Sequence, residues 1–179
     1  MQSRSVSGFT LVEVLVAVLV LAIGLAGAAG AQVAALRTRH ATGLMSGGVQ
    51  LAGALAERMR ANRAAAGYPY LQLQYDAAGG PPAAAEPMCF GGASCNSAEL
   101  AAFDLYEFKQ ALHDDFPSGR VVVCRDAAVW SGAGGALAWE CADAANAPVV
   151  IKLGWRDRRA DPKAAIEPSV ALIVAGAFP

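Results

Sequence analysis

An uninterrupted apolar run near the N-terminus constrains the fold of this chain more than any other feature. From Val14 to Ala31 there is no charged or strongly polar residue, and Phe9 to Val12 extend the apolar segment at its start. The whole segment reaches about 20 residues, enough to cross a hydrocarbon core of about 30 Å. A segment in lipid must satisfy its own backbone groups, so the sequence predicts a membrane-spanning helix that begins at Phe9.

Glu13 is the one carboxylate at the edge of this run. A carboxylate at membrane depth costs about 2.5–3.5 kcal/mol, and such a residue is expected to have a partner. One interpretation places Glu13 at the headgroup boundary, where it stays hydrated. The other starts from a cut after Gly8, which would leave a positive α-amino group on Phe9, four residues before Glu13. Residues four apart share a helix face, and the amine of a neighbouring subunit could neutralise Glu13 instead.

The segment Gly8-Phe9-Thr10-Leu11-Val12-Glu13 with the apolar run after it resembles the class III signal of type IV pilins and type II secretion pseudopilins. The resemblance implies that residues 1–8 are a leader and that prepilin peptidase cuts after Gly8. It also implies that the peptidase methylates the amine of Phe9, and that Glu13 aids docking into a growing filament.

A competing interpretation is an ordinary secretory signal peptide. Ala29-Gly30-Ala31 is a small-residue segment of the kind that signal peptidase cuts, and such a cut would release a free secreted domain. The charge pattern disfavours this interpretation, because Arg4 is the one basic residue before the apolar run and Glu13 lies next to it.

Length and charge limit the remaining possibilities. The chain has 179 residues, which suits an anchor and one domain. A net charge of −1 predicts no strong non-specific binding of nucleic acid, so nucleic acid is not an expected partner.

The cysteines predict disulfides. All lie beyond the anchor, and they are Cys89, Cys95, Cys124 and Cys141. An even number in an exported domain favours disulfides, and three connectivities are possible. Closeness in sequence favours Cys89–Cys95 and Cys124–Cys141. The alternative is a zinc site, but there is no Cys-x-x-Cys and the histidines have no ligand spacing, so neither a metal nor another cofactor is expected.

The helix is predicted to continue past the membrane. Residues 32–63 contain no proline, and their apolar residues recur at helical spacing, so an amphipathic helix is expected to cover a sheet here. Glu57 can pair with Arg60 near the helix end. Arg58, Arg60 and Arg63 predict a solvated helix end, with a basic patch that grips DNA or a partner as the alternative.

Residues 64–179 are predicted to form a globular head. Residues 64–95 form an irregular, variable loop with a short extended piece around 71–73. Asn96 is an N-cap candidate, with Glu99 three residues on, for a second helix that ends at Pro117. His113-Asp114-Asp115 near its end resembles acid–base groups, but no nucleophile accompanies them, so solvated surface is expected and the chain is not expected to be an enzyme.

The rest of the head is predicted to be β-strands. The predicted strands are 120–125 with 126–130 as an extension, 137–141, 149–155 and 169–174. Alternation in 149–155 predicts a strand that is buried on one face only. Short turns between successive strands predict an antiparallel sheet, with Cys124–Cys141 joining its first two strands. The expected fold class is therefore α+β, a long N-terminal helix packed on an antiparallel sheet.

Segments of the head resemble the minor pilins. These segments are Glu57–Arg63, Phe116–Gly119, Val121–Cys124 and Val149–Asp157. The resemblance implies a low-abundance subunit that primes pilus assembly with other minor pilins and the major pilin, and that can remain at the tip. It also implies four regions: leader 1–8, transmembrane and filament-core helix 9–31, helix 32–63 and periplasmic head 64–179.

On this interpretation the precursor is a single-pass protein of the inner membrane with its head in the periplasm, and the assembled subunit lies at the pilus surface. The alternatives are a minor pseudopilin of type II secretion, a tip adhesin or DNA-binding module that uses loop 64–95, and a membrane-anchored enzyme.

Overall fold

The structure is a computed structural model. It describes residues 8, 10–65, 69–130, 133–144, 146–157, 161 and 164–174. Residues 1–7 of the predicted leader, Phe9 and Tyr68 lie outside the described residues. The helices and strands are α1 (Leu11–Ala61), β1 (Gln74–Asp76), α2 (Ser97–Asp115), β2 (Arg120–Arg125), β3 (Val149–Gly154) and β4 (Val170–Val174).

The chain divides into two compact units, Met1–Thr42 and Gly43–Pro179. In the first unit, residues 11–42 of α1 are exposed on every side. The Thr10 hydroxyl accepts a hydrogen bond from the backbone N–H of Glu13 at 3.3 Å, which caps the first turn of the helix. Residues 14–31 of this helix have no charged or strongly polar side chain on any face, and such a segment belongs inside a membrane or an assembly rather than in water.

In the second unit, the end of α1 and α2 pack on a four-stranded antiparallel sheet with the strand order β1-β2-β3-β4. Val121 and Val123 of β2 lie opposite Leu153 and Ile151 of β3. The core between helices and sheet comprises, among others, Ala52, Leu55, Met59, Leu105, Phe108, Leu112, Val121, Val123, Ile151 and Leu153. The expected α+β fold, a long N-terminal helix on an antiparallel sheet, is confirmed.

The prediction that β3 is buried on one face only is wrong. All six residues of β3 are buried. Val149, Ile151 and Leu153 face the helices, whereas Lys152 lies under residues 138–140, to which its ammonium group donates hydrogen bonds. A second layer without regular strands therefore covers the sheet on the side opposite the helices.

This covering segment also overturns the predicted strand 137–141 and the predicted extension 126–130. Beyond β2, Asp126 accepts a hydrogen bond from the N–H of Ala128 and turns the chain out of the sheet. The ammonium group of Lys152 donates hydrogen bonds to the carbonyls of Ala138 and Glu140. These backbone acceptors are therefore satisfied by a side chain rather than by a neighbouring strand. Cys124–Cys141 consequently joins β2 to the covering segment and not to a second strand.

Helix α2 begins as predicted. The side chain of Asn96 accepts hydrogen bonds from the N–H groups of Ala98 and Glu99, and the Glu99 carboxylate accepts from the N–H of Asn96. The extended piece expected around 71–73 is displaced, because Tyr70–Gln72 is a 3-10 helix and the strand is β1. β1 pairs with β2 along an edge that the sequence pattern did not indicate.

Candidate processing and assembly site

The N-terminal end of α1 presents the groups that the sequence singled out. Gly8 is exposed, and no atom lies within 4 Å of the position that a β-carbon would take there. Glu13 is exposed in the first turn of α1, where a carboxylate is favoured by the helix dipole. Phe9 lies outside the described residues. The structure thus places a small, open residue and a carboxylate at the start of an apolar helix.

Thr10 has a structural role that was not predicted. Its hydroxyl caps α1 by accepting a hydrogen bond from the backbone N–H of Glu13. The side-chain carboxylate of Glu13 is exposed. The signal was available in the sequence, since Thr10 and Glu13 have the Ser/Thr-x-x-Glu spacing of a capping box. The cap begins the helix directly after Gly8 and Phe9, so Glu13 lies in its first turn.

Helix α1 leaves its apolar side chains uncovered. Leu11 is 77% exposed and Leu25 is 63% exposed. Within the part of the chain that the structure describes, α1 is the one helix long and apolar enough to cross a membrane. The side chains carry a large free-energy gain on leaving water, at about 1.5–3 kcal/mol for each fully buried Leu or Val.

The arginines at the end of α1 are mostly paired within the head. Arg58 contacts the carboxylates of Asp104 at 3.0 Å and Glu107 at 2.6 Å. Arg60 pairs with Glu57 at 3.0 Å, as the sequence predicted. The Tyr70 hydroxyl donates to Asp104 at 2.5 Å, and burial together with this carboxylate raises the pKa of Tyr70. This network ties α1 to α2, so two of the three arginines have their charge neutralised, which weakens the case for a DNA-gripping patch.

A buried ion pair stabilises the layer behind the sheet. Asp126 and Lys152 are both fully buried, with the ammonium nitrogen 2.6 Å from a carboxylate oxygen. Burial raises the pKa of Asp126, but the Lys152 ammonium and the N–H groups of Ala128 and Ala142 lower it further, so the net shift is downward. The ionised form of Asp126 is therefore favoured, and the pair links β3 to the covering segment.

Both disulfides are present. Cys89–Cys95 closes a short loop before α2, and Cys124–Cys141 lies beside the Asp126–Lys152 pair. No group of three or more His, Cys, Asp or Glu among the described residues is placed to hold a metal ion.

The predicted surface group near the end of α2 is only partly solvated. The Tyr75 hydroxyl donates to the Gly80 carbonyl at 2.8 Å and lies 3.2 Å from Nδ1 of His113. Asp114 and Asp115 are exposed. His113 therefore contacts the hydroxyl of a tyrosine in β1.

Comparison with known families gives two matches. Residues 3–29 match the prokaryotic N-terminal methylation motif. Residues 30–106 match the Tt1218-like family, described as type IV pilin Tt1218. The chain is therefore similar to type IV pilins over residues 30–106, and the methylation motif lies directly before this region. No curated protein and no solved structure matches it.

The methylation motif implies processing of this chain by prepilin peptidase and its assembly with pilins. Together with the apolar helix, it indicates membrane anchoring and a place on the pilus. Pilins are structural subunits rather than enzymes.

Proposed function

We propose that this pilin is a minor subunit, of the kind called type IV pilus modification protein PilV, which helps to prime pilus assembly and can remain at the tip. The observation that carries the proposal is an exposed apolar helix that bears Glu13 in its first turn, five residues after the open residue Gly8. The precursor lies in the inner membrane with residues 1–8 in the cytoplasm and the head, residues 64–179, in the periplasm.

Cutting after Gly8 exposes the amine of Phe9, which is then methylated. Apolar helices gain little from the hydrophobic effect when they move from lipid to a helical bundle, because the lipid tails are as apolar as the side chains. A charge pair therefore has a large influence on register. An unpaired Glu13 carboxylate at membrane depth costs about 2.5–3.5 kcal/mol, and pairing it with an amine removes this cost. The difference favours the register in which Glu13 is paired by about a hundredfold.

Processing is tested by Gly8→Ala, with Gly24→Ala as the matched control. Both positions have open space for a β-carbon, but only the first is at the proposed cut. Immunoblots of whole cells should show the Gly8→Ala protein at precursor size and the Gly24→Ala protein at mature size. Normal maturation of the Gly8→Ala protein would refute the cut after Gly8.

Docking is tested by Glu13→Ala beside Thr10→Ala. The first removes the carboxylate and keeps the helix cap, and the second removes the hydroxyl cap and keeps the carboxylate. Both proteins should be cleaved, but only Glu13→Ala should be strongly depleted from sheared pili. Equal incorporation of the two would mean that Glu13 is a hydrated boundary residue.

The minor, priming role is tested by counting sheared surface pili in a strain that lacks this pilin, with and without complementation. Loss of pili that returns on complementation supports priming. Normal pili, with loss of protein secretion instead, would assign the chain to a type II secretion filament. Normal pili with altered attachment would assign it to a tip adhesin.

A further inference from the structure

A groove in the second unit, Gly43–Pro179, has no occupant among the described residues. It is open, has a volume of about 460 Å³, and lies between α1 and the end of α2. Leu44, Leu51 and Phe116 give it apolar walls, and Asp115 lies at its rim. Phe116 is held in place by the ring of Trp155, with 5.2 Å between ring centroids, so this wall is fixed by packing.

The glycines of α1 differ in what the head requires of them. At Gly48 a β-carbon would come within 2.6 Å of the Trp155 ring, so close packing of the helix explains that glycine. At Gly43 no atom lies within 4 Å, and at Gly47 the nearest atom, in Phe116, is at an ordinary 3.5 Å. A helix-interior glycine costs about 1 kcal/mol relative to alanine. Packing inside the head does not account for Gly43 and Gly47, whereas the floor of the groove needs them to be small.

The first unit carries a helix face that complements this groove. Val33, Leu36, Arg37 and His40 share one face, at the spacing i, i+3, i+4 and i+7. All four are exposed, Leu36 to 63%. The face thus combines two exposed apolar side chains with a cation, Arg37, next to Leu36.

The charges of the two surfaces are complementary and are not satisfied internally. No acidic residue occurs from Val14 to Ala56, so Arg37 has no carboxylate within reach on its own helix. Among the residues that the structure describes, neither Arg37 nor Asp115 has an ion-pair partner. Asp114, by contrast, accepts a hydrogen bond from Gln110 at 2.9 Å and does not line the groove.

We propose that the groove between α1 and α2 receives residues 33–40 of a second copy of this chain, with Leu36 between its apolar walls and Arg37 against Asp115. Small residues on one helix allow another helix to approach closely, as the open positions Gly43 and Gly47 do here. The inference rests on the proposed function, because residues 33–40 of a neighbour come within reach of the head only in a filament or in a membrane-held assembly of subunits.

The test is disulfide cross-linking between two differently tagged full-length copies in the same cells. One copy carries Gly43→Cys in the groove and the other carries Leu36→Cys on the docking face. Among the described residues all native cysteines are in disulfides, so the introduced thiols are the ones that react. After oxidation of membranes and of sheared pili, a tagged heterodimer should appear on a non-reducing gel.

Two matched controls fix the geometry. Val49→Cys replaces Gly43→Cys at an exposed position of α1 outside the groove. Thr38→Cys replaces Leu36→Cys two residues further along α1, at an exposed position on the opposite face of the helix. Neither control should give the heterodimer. Equal yields from the controls, or a cross-link of Gly43→Cys to a different protein only, would overturn the proposal.

Charge exchange supplies an independent readout. Asp115→Lys in the groove copy, or Arg37→Asp in the helix copy, should each lower the yield about two- to fivefold, the range of an exposed ion pair. The two together should restore it, and Asp114→Lys should leave it unchanged. No loss, or loss without restoration, would remove Arg37 and Asp115 from the interface.

The same strains separate this inference from the proposed function. Processed protein and normal complementation of pili without the cross-link would refute the groove while leaving the subunit role intact. A specific cross-link in cells whose pili do not depend on this chain would support the groove and refute the priming role.

Discussion

The buried pair of Asp126 and Lys152 allows a quantitative test of how the head is held together. Both side chains are fully buried, and Lys152→Met removes all the hydrogen bonds of the ammonium group while nearly preserving side-chain length. Those bonds run to the carbonyls of Ala138 at 2.7 Å and Glu140 at 2.6 Å, and the same nitrogen lies 2.6 Å from the Asp126 carboxylate. The variant therefore leaves a carboxylate and two carbonyls buried without this partner.

The expected cost follows from these contacts. Breaking a buried ion pair by removing one partner costs about 3–5 kcal/mol. The two carbonyls add a desolvation penalty, but Asp126 keeps its hydrogen bonds from the N–H groups of Ala128 and Ala142, which limits the total. We expect the free energy of unfolding to fall by about 3–5 kcal/mol, and the Tm to fall by about 10–20 °C.

The assay is thermal unfolding of the purified full chain in detergent, followed by circular dichroism and tryptophan fluorescence. Lys109→Met is the matched control, because Lys109 is partly buried yet has no ion pair among the described residues. Its effect should stay within about 0.5 kcal/mol. If the two variants unfold at the same temperature, the ion pair does not hold the covering layer and the reasoning is wrong.

Three further predictions concern the head. Because the pKa of Asp126 is lowered on folding, the stability from its ionised form is full above the ordinary carboxyl pKa of about 4 and is lost as the pH falls below that value; Asp126→Asn should flatten this acid dependence in the same assay. Gly48→Ala should destabilise by about 1–3 kcal/mol through contact with the Trp155 ring, whereas Gly43→Ala, in open space, should be neutral or stabilising. Reducing Cys124–Cys141, which spans 17 residues, should cost about 3 kcal/mol, seen as a lower Tm in Cys124→Ser with Cys141→Ser.

The elements that local sequence governs were predictable. The apolar run predicted the start of α1. The absence of proline in residues 32–63 predicted that the helix continues beyond the membrane, and it ends at Ala61. Asn96 and Glu99 predicted the start of α2, because a capping box uses only residues within one turn. The valine-rich segments predicted β2, β3 and β4 to within a residue or two at each end.

The layer behind the sheet was not predictable, because its contacts join residues far apart in the chain. Residues 137–141 have the composition of a strand. Instead of extending the sheet they cover it, and two of their carbonyls accept hydrogen bonds from the ammonium group of Lys152. The alternation of residues 149–155 predicts that Lys152 faces solvent. Its burial is possible because the Asp126 carboxylate lies beside it and offsets the cost of desolvating the ammonium group.

The same division applies to function. The sequence by itself determined the long helix, the Gly8 and Glu13 signal at its start and the α+β fold class, since periodicity, capping and a membrane-length apolar run are local properties. Only the tertiary structure decided that Arg58 is neutralised by Asp104 and Glu107, and that Asp115 and Phe116 meet α1 to form a groove. Those arrangements depend on side chains that are far apart in the sequence and that only the packed fold brings together, so local sequence patterns cannot predict them.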